Sequence, residues 1–271
     1  MMPTITVGVD ASDFRVPVKE ALDTASRLKF RAVELAVGDG ELAPENLTAS
    51  GRRHLARFAE GLGLKVAAVT ADLPGLRLTD MRTVDQRVQR TRMVIELAHQ
   101  VGVPVVVSAA GSLTHPETGE PSAVAIEALG QIGEFADASG VQFAIRPAYE
   151  GGARLSAVLR AVGCPAVRVC LDPAAMVMVG TDPLASIDQY VESVALLHVR
   201  DATAGFADRR RGEGRAGRET PLGEGDADIA GILEVLRDAE YRSPYILRRT
   251  DAPRPIDDLQ MAREVLARMC P

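Results

Sequence analysis

The residues of this chain best suited to chemistry sit at the ends of its apolar runs. Val141–Arg146 closes on Arg146, Tyr245–Arg248 closes on Arg248, and Val167–Leu171 leads into Asp172. His198 lies one residue before the end of Val194–Val199. Guanidinium groups present paired N–H donors that match a carboxylate or a phosphate. Arg146 and Arg248 are therefore candidates for holding an anionic ligand, with Asp172 and His198 orienting them. Asp172 and His198 are also the acid/base candidates, because proton transfer needs groups of this kind within reach of a substrate. The structural alternative is a buried ion-pair network, since buried charges must be paired. For Asp172, beside two arginines, the two readings carry equal weight.

These residues depend on a repeating scaffold. Eight short β-branched runs recur: Thr4–Val9, Ala32–Val37, Lys65–Ala71, Val103–Ser108, Val141–Arg146, Val167–Leu171, Val194–Val199 and Tyr245–Arg248. Amphipathic stretches lie between them, at Pro17–Leu28, Ser50–Leu62, Val84–Val101, Ala123–Ala138, Ala153–Val162, Pro183–Val191, Ile229–Ala239 and Ile256–Met269. Several carry stop signals, such as Gly63, Gly102 and Gly163 just past the last helical residue. Strand–helix repetition with short links predicts a parallel sheet. Eight units predict a single (β/α)8 TIM barrel over residues 1–271. The alternative, an open nucleotide-binding sheet, needs a Gly-rich turn after its first strand, and Asp10-Ala11-Ser12-Asp13 lacks that spacing.

The longest irregular stretch, Asp201–Asp226, falls on the side where barrel active sites are built. Glu224 within it is a candidate substrate contact, while Asp226 or Asp228 is expected to cap the next helix. Arg209, Arg210, Arg211, Arg215 and Arg218 make its one dense basic run. A solvated loop is the favoured reading of that run, and a lid over an anionic substrate is the alternative.

Composition narrows the function. A net charge of −6 argues against nucleic-acid and membrane-surface partners. Three cysteines without metal-type spacing fit a reducing, cytoplasmic setting. The first residues show no export signal, and no apolar run is long enough to span a membrane. With Trp absent and aromatics at 4%, the core must be built from Ala, Val, Leu and Ile, which suit parallel strands buried on both faces.

The wording of several segments resembles the xylose isomerase-like barrels, the sugar phosphate isomerase/epimerase superfamily. The segments are AVELAV at 32–37, GLKVAAVTAD at 63–72, IELAHQVGVPVVV at 95–107, LLHVRDA at 196–202 and PLGEGDADI at 221–229. The last two are similar to the family's His-x-Lys-Asp turn and Pro-Leu-Gly-x-Gly-x-x-Asp/Asn loop. The resemblance implies a divalent metal such as Mn, Mg, Co or Zn, held by a Glu, an Asp, a His and a Glu on strands five to eight. It implies that the two glutamates also move the substrate's proton. Asp172 and His198 stand at the Asp and His positions, Arg146 and Arg248 at the two Glu positions, Ala175 at a further His, and Arg200 at the Lys. A homodimer through the outer helices is expected by analogy with the family.

Two arginines for two glutamates change the formal charge of the family site by +4, from −3 to +1. A divalent ion ~4 Å from one guanidinium is repelled by roughly 8 kcal/mol at an effective dielectric near 20. The expectation is therefore a lost metal site and no cofactor, unless Glu150 or Asp251 replaces a ligand. Two functions remain. One is an isomerase, epimerase or related lyase acting on a small, anionic, hydroxylated carbohydrate, a sugar acid or sugar phosphate. The other is a non-catalytic protein binding the same ligand. DNA-repair endonucleases of this fold need a metal-binding cluster of histidines and carboxylates, and only one of the four histidines is well placed.

Overall fold

Small and β-branched residues can be buried on both faces of a parallel strand, and the runs pair in that way. A computed structural model of the chain describes residues 5–147, 149–208 and 213–269. Eight strands close into a parallel barrel: β1 (Val7–Asp10), β2 (Ala32–Ala36), β3 (Lys65–Thr70), β4 (Val105–Ala109), β5 (Gln142–Arg146), β6 (Val167–Leu171), β7 (Val194–Val199) and β12 (Tyr245–Leu247). Strand β12 closes the ring against β1, with Val9 opposite Leu247. Between β7 and β12 lie two short ribbons, formed by β8 (Asp201–Ala202) with β11 (Glu219–Thr220) and by β9 (Phe206–Asp208) with β10 (Glu213–Arg215).

Helices α1 (Val18–Arg27), α2 (Ala49–Gly61), α3 (Val84–Val101), α4 (Ala123–Ala138), α5 (Gly152–Val162), α8 (Ile229–Asp238) and α9 (Pro255–Met269) follow the expected spans within a residue or two. Helix α3 stops where Gly102 takes a left-handed φ of 79°. The stretch expected as a helix over Pro183–Val191 is corrected to a single turn, α7 (Leu184–Ile187). Its Ser, Asp and Gln compete with helical bonding and leave no repeating apolar stripe. A further short helix, α6 (Pro173–Met178), carries no sequence period because its residues are all apolar. Among the described residues no helix is long and apolar enough to cross a membrane.

The barrel interior is packed with apolar side chains, most of them small: Ala32, Ala67, Ala68, Val105, Val107, Ala144, Cys170, Ala195, Leu196 and Ile246. Gly8 completes this layer. A Cβ there would lie 2.7 Å from Ile246 Cδ1 and 2.8 Å from the Ala32 carbonyl oxygen. Gly8→Ala is therefore expected to lower stability by about 1–3 kcal/mol, the usual cost of overpacking, read as a lower urea midpoint at unchanged slope. An unchanged midpoint would show that β1 has room to shift.

Candidate functional site

Side chains two apart on a strand share a face. In six strands the residue two places beyond an interior residue of this layer is charged: Asp10 after Gly8, Glu34 after Ala32, Arg146 after Ala144, Asp172 after Cys170, His198 after Leu196 and Arg248 after Ile246. Because the strands are parallel, all six sit at one end of the barrel, directly above the apolar layer. That end is the C-terminal mouth, where barrel chemistry is housed.

Register then fixes the pairs. Val9 faces Leu247, so Asp10 and Arg248 emerge side by side, with Arg248 Nη2 3.0 Å from Asp10 Oδ2. Arg248 Nε is 3.7 Å from Asp13 Oδ2, which accepts the Arg249 main-chain N–H at 2.7 Å. Arg146 donates to Asp72. Asp72 Oδ1 is fixed by the Ala109 N–H at 2.7 Å. His198 Nε2 lies 2.7 Å from Glu34 Oε2, and its Nδ1 lies 3.6 Å from Asp172 Oδ2. Asp172 caps α6 through the Ala175 N–H at 3.0 Å and faces Arg200 Nε at 3.3 Å. Glu219 accepts the N–H groups of Thr250 and Asp251. It also faces Arg200 at 3.9 Å and Arg249 at 3.4 Å.

The charges respond to this packing. Burial would raise the Asp172 carboxyl, but Arg200, His198 and Arg146 outweigh it and hold the group well below the usual carboxylate range. Burial opposes the His198 imidazolium, yet Cys170, Glu34 and Asp172 raise its pKa well above the ordinary value. Burial also opposes charge on Arg248, and Asp10, Asp13 and Glu34 overcome it. Asp13 behaves differently. Burial, then the neighbouring Asp10, push its pKa from 3.8 to about 6 against the pull of Arg248 and the Arg249 N–H.

The structure thus brings Arg146, Arg248, Arg200, Asp172 and His198 to one mouth. Glu224 is not drawn in; it stands exposed in the loop after Pro221, and Glu219 is the loop carboxylate that reaches the cluster. Asp228, through the Gly231 N–H, caps α8, while Asp226 binds the Ala204 N–H. Glu150 is fully buried and staples the segment after β4, accepting the N–H groups of Leu113 and Thr114. Asp251 is exposed. Neither replaces a ligand at positions 146 or 248. Arg209, Arg210 and Arg211 lie outside the described residues. A cleft of about 910 Å³ opens on the same face, lined by Thr79, His115 and Tyr149 among others. It does not include the arginine cluster, so a ligand at the mouth must enter among paired charges.

The positive excess expected at the four family positions is offset by their neighbours. Seven carboxyl groups (Asp10, Asp13, Glu34, Asp72, Asp172, Glu219, Asp258) face four guanidinium groups (Arg146, Arg200, Arg248, Arg249) and His198. With His198 protonated the whole cluster carries a formal charge of −2. As arranged, the residues do not fit a divalent ion. Both ring nitrogens of His198 face carboxylates, positions 146 and 248 offer no lone pair, and among the described residues no group of three His, Cys, Asp or Glu is placed to hold a metal.

The family model described as xylose isomerase-like TIM barrel matches residues 22–269. No curated protein matches the chain by sequence. Solved structures share the fold along nearly the whole length. The xylose isomerase domain protein from Planctomyces limnophilus superposes with a TM-score of 0.84 at 22% identity, covering 98% of each chain. A D-tagatose 3-epimerase-like protein gives 0.78 at 16% identity, covering 98% of this chain and 97% of its own. The IOLI protein with a binding zinc atom gives 0.78 at 16% identity, covering 98% of each chain. That zinc shows that a barrel of this fold holds a divalent ion, so the expectation of no cofactor is corrected at the level of the fold. In this chain the resident acids remove the net positive repulsion on which the expectation rested, while His198 and its carboxylates stay committed to one another.

Proposed function

Because the chain belongs to the xylose isomerase-like TIM barrel family, we propose that it takes a small hydroxylated carbohydrate bearing an acidic group, a sugar acid or sugar phosphate, at the barrel mouth. The chemistry is of the isomerase or epimerase class. The observation that carries this reading is a set of under-used donors. Arg146 Nη1 is buried without an acceptor among the described residues, and Arg200 Nε, Arg248 Nε and Arg249 Nη1 face carboxylates at 3.3–3.9 Å without making a hydrogen bond. A buried donor without an acceptor costs about 1–3 kcal/mol, and an oxygen-rich anion supplies acceptors to several at once. Glu219 faces Arg249 and Arg200 only at 3.4 and 3.9 Å, so a ligand oxygen can take over these two guanidinium groups while Glu219 keeps its main-chain N–H groups.

Asp172 and His198 then serve as positioning groups. Asp172 holds Arg200, and His198 ties Asp172 to Glu34. Their enclosure favours a second reading, a binding protein without turnover.

Thermal stabilisation by D-glucuronate, D-fructose 6-phosphate and neutral D-tagatose tests the proposal, each with and without added Zn or Mg. The acidic compounds are expected to stabilise the protein most. Arg248→Met is expected to weaken their binding about ten- to a hundredfold, the worth of one charged hydrogen bond. Equal stabilisation by D-tagatose, or unchanged binding by Arg248→Met, would overturn the reading. Conversion followed by NMR separates an enzyme from a binder.

A further inference from the structure

We propose that Asp13 is the proton carrier of this mouth. The inference rests on the isomerase-class function proposed above and adds to it the residue that moves the proton.

The other carboxylates of the cluster are occupied. Asp10 spends Oδ1 on the N–H and hydroxyl of Ser12 and Oδ2 on Arg248. Asp72 spends one oxygen on the Ala109 N–H and the other on Arg146. Asp172 is held by the Ala175 N–H, Arg200 and His198. Glu219 is held through both oxygens by main-chain N–H groups. Glu34 has a bare Oε1, but it is sealed from solvent. Asp13 alone combines a fixed oxygen with a reachable one. Its Oδ2 takes the Arg249 N–H, while its Oδ1 accepts no hydrogen bond from the described residues and is not among the sealed atoms. The anchored Oδ2 points the free Oδ1 in one direction.

The groups around Asp13 suit the task. Asp10 from β1, Arg248 and Arg249 after β12, and Glu219 from β11 face it. Burial and Asp10 hold its pKa at about 6, so the group is a carboxylate at neutral pH yet basic enough to accept a proton. Arg248, whose Nε lies 3.7 Å away and whose side chain is 11% exposed, is the guanidinium placed to hold a developing oxyanion.

The step balances without any co-reactant. Asp13 Oδ1 takes the proton from the carbon beside the carbonyl. The C–H electron pair forms the C=C bond while the carbonyl π pair moves onto oxygen, where Arg248 meets it. The neighbouring hydroxyl proton passes to that oxygen, and Asp13 returns its proton to the former carbonyl carbon. One carboxyl on one face suffices for this transfer. Epimerisation would need a second donor on the opposite face.

The test follows exchange of substrate carbon-bound hydrogen in D2O by NMR, with D-glucuronate and D-fructose 6-phosphate as probes. Asp13→Asn keeps an oxygen for the Arg249 N–H. It also removes a carboxyl whose folded pKa exceeds its unfolded value, so no stabilising charge is lost at pH 7. The variant is expected to fold and to keep probe-dependent thermal stabilisation, while exchange falls about a hundredfold or more. Asp13→Glu is expected to recover part of the rate, and the wild-type rate is expected to rise with pH through about 6. Exchange by Asp13→Asn within about threefold of wild type would overturn the assignment. So would a wild-type protein that is stabilised by a probe but exchanges no hydrogen, and that outcome leaves the binding reading standing. No stabilisation by either probe would remove both.

Discussion

Replacing Asp172 by Asn is expected to cost about 3–5 kcal/mol of stability at neutral pH, the range for removing one partner from a buried ion pair. Asn keeps an oxygen for the Ala175 N–H, so the cap of α6 survives and the loss isolates the charge. What remains is Arg200 without its 3.3 Å partner and a His198 imidazolium without one of its two carboxylates. The residue is 1% exposed, so solvent screens little of this. The carboxyl titrates well below its unfolded value of 3.8. Its contribution is therefore complete above that value and is lost as pH falls below it. Urea denaturation of wild type and variant should show the full gap at pH 7 and a shrinking one below about pH 4. A gap under about 1 kcal/mol at pH 7 would mean that water reaches the pair. Combined with Arg200→Met, the two losses should add to less than their sum, as expected for residues in contact.

Asp201→Ala is expected to have an effect of similar size by another route. Asp201 is 2% exposed, and its carboxylate gathers four main-chain donors. Oδ1 accepts from Ala202 at 2.9 Å and Ala227 at 3.2 Å, and Oδ2 from Gly223 at 3.0 Å and Gly225 at 2.9 Å. The carboxylate is the hub of the PLGEGDAD loop. Gly225 is required there because a Cβ would fall 2.2 Å from Asp201 Oδ1. Hydrogen bonds to a charged group contribute about 1.5–3 kcal/mol each, and bonds sharing one acceptor group are not additive, so about 3–5 kcal/mol in total is expected. Asp201→Asn should lose less, because one acceptor oxygen remains. Hydrogen exchange gives the local readout: the amides of Gly223, Gly225 and Ala227 should exchange much faster in the Ala variant. Unchanged exchange would show that the loop is held from elsewhere.

Much of this architecture is legible in the chain. The eight β-branched runs place the strands, because burial on both faces leaves little else such segments can become. Arg146, Asp172, His198 and Arg248 are recognisable because they end those runs, and strand ends share one mouth. Their partners are not legible. Asp13 and Arg249 are bonded across 236 residues, and only closure of β12 against β1 brings them together. Glu219 reaches the mouth through a two-residue ribbon with β8, too short to leave a pattern. One signal was available. Glu34 interrupts the apolar run AVELAV, and a charge inside a buried strand implies a buried partner, here His198. The short α6 escaped because six apolar residues after a proline have no period.

The paired mouth also constrains how this sequence can change. Arg146→Glu would set a new carboxylate against Asp72, and Arg248→Glu would set one against Asp10 and Asp13. Each exchange alone turns an attraction inside a low-dielectric layer into a repulsion. A glutamate at 146 becomes tolerable only after Asp72 has gone, and one at 248 only after Asp10 has gone, and losing either aspartate first takes the nearest partner from a buried guanidinium. The arginines and their acids therefore form an interlocked set, in which every single-step path toward glutamates passes through a less stable protein, and the order of substitutions matters as much as their identity.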